Sequence, residues 1–115
     1  MPQSRAKGAR GEREAAAAWT DATGLPAGRT AQRTGKLGTP DITLGTDRLH
    51  AEVKRRARLA VSEFQRQAER DAPEGAVPLV LMREDGDPRW LVMARLSDLV
   101  EVAERLLEAR RGPLL

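Results

Sequence analysis

Thr39-Pro40-Asp41-Ile42-Thr43-Leu44-Gly45-Thr46-Asp47-Arg48-Leu49-His50-Ala51-Glu52-Val53-Lys54 alternates apolar and polar residues on either side of a turn-forming centre. This is the pattern of two β-strands folded back on each other. A two-residue turn at Thr46-Asp47 pairs Ile42 with Ala51 and sets Asp41 directly opposite Glu52. Ile42, Leu44, Leu49, Ala51 and Val53 then share one face, while Asp41, Thr43, His50, Glu52 and Lys54 share the other. Opposed residues have Cβ atoms ~4.5–5.5 Å apart, close enough for one divalent cation to take oxygen from both carboxylates.

The flanking segments extend this hairpin into a larger fold. Residues 7–21 are alanine-rich and predict a helix ending before Gly24, with residues 1–6 as a flexible basic tail. Within that helix Glu12, Ala15, Ala16 and Trp19 recur at three- and four-residue spacing, so a carboxylate shares the face that buries a tryptophan. Residues 27–32 predict a short strand that runs into a glycine-rich loop. Ser62 with Gln65 reads as a capping box opening a helix to about Ala72. Residues 77–82 and 90–93 read as strands joined by the turn Glu84-Asp85-Gly86-Asp87-Pro88, and Ser97 as the cap of a last helix over residues 98–110. The order α-β-β-β-α-β-β-α predicts one α/β (α+β) domain over residues 1–115, with a central mixed sheet of about five strands flanked by helices.

Charge is distributed unevenly. The net is +3, but residues 1–60 hold 12 Lys/Arg against 6 Asp/Glu, or +6, and residues 61–115 hold 8 against 11, or −3. The basic half carries the hairpin, which points to a polyanionic partner. Within it Lys7, Arg10, Arg13, Arg33, Lys36, Arg55, Arg56 and Arg58 are the candidate phosphate contacts, expected to form one positive face. The absence of cysteine excludes disulfides and thiolate chemistry, and a single histidine excludes a His-rich metal cluster, leaving oxygen as the metal ligand. No apolar run approaches the roughly 18 residues of a membrane span, and the polar start lacks the apolar middle of a secretion signal. The expectation is a cytoplasmic protein with no membrane partner and no small-molecule substrate.

Hydrolysis of a phosphodiester needs a held water, a cation on the phosphoryl oxygens and a group that assists proton transfer. Asp41 and Glu52 offer the oxygens that Mg2+ takes, with Mn2+ as a substitute, and the Val53 carbonyl between Glu52 and Lys54 is a further candidate ligand. Lys54 falls beside them, where an ammonium steadies developing charge. His50 is either a phosphate donor on this face or a strand-surface histidine without a role. Trp19 and Trp90 read as core or dimer surface, because no tyrosine and one phenylalanine leave little to build a base stack.

Pro40-Asp41 followed by Glu52-Val53-Lys54 across a hairpin resembles the signature of the PD-(D/E)xK nuclease superfamily. In addition, Lys7-Gly8-Ala9-Arg10-Gly11-Glu12-Arg13-Glu14 is similar to the basic-Gly-x-x-x-Glu-Arg-Glu opening of archaeal-type Holliday-junction resolvases, and the resemblance extends to about Met93. It implies a restriction-endonuclease-like core, with a catalytic glutamate at Glu12 joining Asp41 and Glu52 at the metal and a helix arginine at Arg13. It also implies a functional hydroxyl in the loop, nearest to Thr34, with Thr30 and Thr39 as alternatives, and an active-site glutamine at Gln65 or Gln67. The activity implied is Mg2+-dependent nicking of both opposing strands of a four-way DNA junction by a homodimer, as a two-fold substrate requires. Two rival readings stay open. One is another small PD-(D/E)xK nuclease of virus-type replication-repair or restriction-like kind; the other is a non-catalytic basic nucleic-acid-binding module.

Overall fold

Leu49–Arg56 alternates between two buried faces and lies at the middle of the sheet. The computed structural model describes residues 2–30 and 39–112, with the backbone alone for residues 2–7. The chain runs α1 (Pro2–Thr23), β1 (Gly28–Arg29), β2 (Ile42–Thr43), β3 (Leu49–Arg56), α2 (Val61–Asp71), β4 (Val77–Glu84), β5 (Leu91–Met93), a 3-10 turn (Leu96–Asp98) and α3 (Leu99–Arg111). The element order is the one the periodicity predicts, and the five-stranded sheet is mixed, in the order β1-β2-β3-β4-β5. Only β3 and β4 are parallel, from Leu49 beside Val77 to Arg56 beside Glu84. Parallel neighbours need a long return, which α2 provides.

Helices cover both faces of the sheet. On one face Ala15, Ala16 and Trp19 of α1 pack on Ile42, Leu44, Ala51, Leu79 and Leu81, with Val102 and Leu106 of α3 partly buried against them. The Trp19 indole N–H donates to the Leu44 carbonyl at 3.1 Å, which satisfies the one polar atom that this large ring brings into the core. On the other face Phe64 and Ala68 of α2 pack on Val80 and Met82. Gly11 lies inside α1 directly against Arg55 of β3, where a Cβ would stand 3.5 Å from the Arg55 Cβ. Among the described residues no helix is long and apolar enough to cross a membrane.

The register of the hairpin is as predicted, with Ile42 beside Ala51, but its turn is not. β2 ends at Thr43, and the chain swings out through Gly45 at φ +84°, where a Cβ would lie 3.2 Å from both Leu25 and the Pro26 carbonyl. The connection is therefore longer than two residues. The predicted tail is also helical, since α1 begins at Pro2; proline is tolerated at a helix start, where its missing N–H has no intrahelical partner. Neither predicted cap forms. α2 opens at Ala60 with no side-chain cap, and Gln65 is buried and donates to Glu69 at 3.2 Å instead of closing a box with Ser62. Ser97 lies within the 3-10 turn, and Asp98 precedes α3 without a capping bond.

Candidate active site

The residues of β3 that alternate with its core-facing ones, His50, Glu52, Lys54 and Arg56, are all polar. His50, Glu52 and Lys54 are only 1, 3 and 9% exposed. Buried polar groups must find partners, and each of these does. His50 Nε2 lies 3.2 Å from Glu52 Oε1. The Lys54 ammonium donates to Gln67 Oε1 at 2.6 Å and stands 5.6 Å from the centre of the Phe64 ring. Gln67, rather than Gln65, is thus the glutamine that the helix presents to β3.

Asp41 stands immediately before Ile42, the first residue of β2. Its N–H donates to the Ala51 carbonyl at 2.9 Å, and its carboxylate Oδ2 accepts the Val53 N–H at 2.8 Å. The N–H and C=O of one strand residue point to the same side, so the Val53 carbonyl leaves β3 along the edge that Asp41 occupies. Asp41 lies close enough to Glu52 to act on its carboxyl. Burial, with the adjacent Asp41 charge adding to it, pushes the Glu52 carboxyl up from 4.5 to about 7, against the pull of its bond with His50. Two ionised carboxylates hold only acceptors, so such closeness favours a shared proton or a shared cation.

Glu12, Asp41, Glu52, Val53, Lys54, Arg56 and Gln67 all line one polar cleft of about 480 Å3. Elements far apart in the chain therefore meet there. Glu12, however, gives its carboxylate to Arg29 Nε at 2.7 Å. Among the described residues no group of three His, Cys, Asp or Glu side chains is placed to hold a metal ion, so the expected trio of carboxylates is a pair, Asp41 and Glu52. Glu12 reaches the rim of this cleft from α1, and there its carboxylate is paired with the guanidinium of Arg29 on β1.

The predicted phosphate contacts differ in exposure. Arg10, Arg13, Arg56 and Arg58 are exposed. Arg55 is not free for DNA: its guanidinium binds Glu14 of α1 at 2.6 Å and Asp85 at 3.3 Å, and Glu14 also meets Arg83 of β4 at 3.5 Å. This network ties α1 to the sheet. Thr34, Arg33, Lys36 and the Lys7 side chain lie outside the described residues. Thr30 is engaged structurally, its hydroxyl donating to the Pro40 carbonyl at 2.6 Å.

Sequence reasoning missed two features of the site. One is the burial of His50 beside Glu52, which strand alternation alone leaves on a surface. The Glu14–Arg55 pair spans 41 residues and had no local signal. Comparison with protein-family models, curated proteins and solved structures finds no match, so the site is read from its own geometry.

Proposed function

We propose that the chain is a divalent-metal-dependent endonuclease of the PD-(D/E)xK kind that nicks branched DNA, of which the four-way junction is the substrate argued from the N-terminal resemblance. The observation that carries the reading is that Asp41, held by the Val53 N–H, Glu52 and a tethered Lys54 line one polar cleft. A purely structural hairpin has no reason to bring two carboxylates together, one of them with its pKa raised to about 7. The pair fits Mg2+, which takes one or two carboxylates and keeps several waters, and the Val53 carbonyl is on the correct edge to add a third oxygen. Bound there, the cation would supply Lewis-acid stabilisation of the phosphoryl oxygens and a more acidic water.

The residues of the chain do the rest. Val53 N–H orients Asp41 and His50 orients Glu52, so both carboxylates are held before substrate arrives. Gln67 and the Phe64 ring restrain Lys54, whose ammonium balances charge developing on the phosphate. Arg10, Arg13, Arg56 and Arg58 supply exposed positive charge for the DNA backbone. Two nicks in a two-fold junction call for two copies of the chain.

The test is incubation of a labelled four-way junction and a linear duplex of matching sequence, with Mg2+, with Mn2+ and with chelator. Paired nicks in the junction with metal, and little cutting of the duplex, are expected. Equal cutting of both would replace the junction with linear DNA as substrate, and binding without cutting under every condition would leave only a nucleic-acid-binding module.

A related expectation concerns the backbone contacts. Changing Arg56 and Arg58 together to Ala should reduce the slope of log K against log[salt] by roughly 0.9 per lost contact, and weaken all branched substrates alike. Arg55→Ala should instead lower the melting temperature, because its partners are Glu14 and Asp85. Filter binding over a salt series and thermal unfolding distinguish the two; an unchanged slope in the double variant would remove these residues from the DNA surface.

A further inference from the structure

Helix α3 buries none of its residues completely. Its inner side, Val102, Leu106 and Ala109, packs partly on the sheet. Its outer side is apolar as well: Val100, Ala103 and Leu107 follow at three- and four-residue steps, and Leu96 precedes them by four. Leu96 is 85% exposed and Val100 71%. Of the seven large hydrophobic side chains that are exposed among the described residues, six lie between Leu91 and Leu107; Val61 is the exception. A helix with two apolar sides, one of them bare, is built to be covered on both. The edge strand β5 adds Leu91 and Val92 to the same end of the sheet, beside an apolar crevice of about 240 Å3 between α1 and α3.

The charges around this face select the occupant. Asp98 and Glu101 stand at the start of the helix and Arg110 and Arg111 at its end, while Glu104 and Glu108 lie between and Arg105 pairs with Glu101 and Glu108, so the start is net negative and the end net positive. Turned end for end, the helix is complementary to itself: Val100 meets Leu107 of the other copy, Ala103 sits at the two-fold axis, and each acidic start faces a basic end. A parallel pairing would set like charges together. DNA and anionic lipid are disfavoured by the acidic rim, which belongs to the half of the chain with charge −3. We propose that the Leu96–Leu107 face is the interface with a second copy of this chain, through antiparallel packing of α3 on α3 about a two-fold axis. The inference deepens the proposed function by naming the surface that would bring two cutting sites together, and it rests on that reading for its purpose but not for its observations.

The chain has no cysteine, which makes cross-linking a clean test. Ala103→Cys is expected to form an intermolecular disulfide under mild oxidation. Val100→Cys and Leu107→Cys should each cross-link weakly alone and efficiently when mixed. In parallel, sedimentation equilibrium of the unmodified chain should give twice its 12.6 kDa mass, and Val100→Glu with Leu107→Glu should give the single mass with an unchanged circular dichroism spectrum. A monomer at tens of micromolar, a dimer that survives the double substitution, or disulfides formed equally by all three cysteines would overturn the interface. All of these are read on protein alone, so a failure of junction nicking with the dimer intact would count against the proposed function and leave the interface standing.

Discussion

Asp41→Asn and Lys54→Met are each expected to lower the nicking rate by at least about 10^3-fold, a loss of roughly 4 kcal/mol of transition-state stabilisation, while junction affinity falls by less than threefold. Asp41 is half of the carboxylate pair, and the amide of asparagine replaces one anionic oxygen with a donor that repels a cation. Methionine keeps the stem of Lys54 against Phe64 and removes its charge. Affinity is spared because backbone contacts spread over several exposed arginines supply it, and Asp41→Asn removes a negative charge from the cleft. Gel shifts in chelator and single-turnover nicking in Mg2+ measure the two quantities separately. Parallel loss of both would assign these residues to the fold or to DNA binding instead of chemistry.

Glu52→Gln is expected to act in opposite directions on stability and on cleavage. The Glu52 carboxyl has its pKa raised from 4.5 to about 7, mainly by burial, so the folded chain holds this proton more tightly than the unfolded chain does. Below about pH 4.5 both states are protonated and the group costs nothing. As the pH rises through the interval to 7 the unfolded state releases the proton first, and stability declines by an amount on the order of 3 kcal/mol that then stays lost. Glutamine is neutral throughout; its carbonyl still accepts from His50, and its NH2 donates to Asp41. In chelator, the stability difference between Glu52→Gln and wild type should therefore grow from near zero at pH 4.5 to its full value by pH 8, with the variant the more stable, while its nicking in Mg2+ is abolished. Mg2+ should raise the wild-type melting temperature at pH 8 and leave that of the variant unchanged. Urea titrations at both pH values decide this; a pH-independent difference would mean that Glu52 carries no raised pKa in the folded chain. His50→Leu sharpens the test, since it removes the partner that opposes the shift and should steepen the decline.

The trade between stability and activity belongs to sites that concentrate like charge for a ligand. Here the strain is confined to a few atoms. The rest of β3 is conventional: one face is apolar up to Arg55, which pairs with Glu14, and the other is polar, with His50, Glu52 and Lys54 each partnered.

The local rules of strand alternation settled much of this protein from sequence. Ile42, Leu44, Leu49 and Ala51 had to share a face because successive strand side chains alternate, and the register that joins Ile42 to Ala51 followed from burying that face; a one-residue slip would have exposed all four. The order of helices and strands was legible for the same reason, since a period of two or of 3.6 residues is a property of adjacent positions. What adjacent positions could not specify was which layer covers which. Only the packing of α2 set Phe64 over Lys54 and chose Gln67 over Gln65 as its partner, and only the assembled fold turned His50 from a surface residue into the buried partner of Glu52. Only the approach of α1 across Gly11 drew Arg55 to Glu14 and away from the solvent, and only the position of β1 brought Arg29 to Glu12. Charged side chains take the nearest opposite charge that the fold supplies, and nearness across many residues of chain is decided by tertiary packing alone.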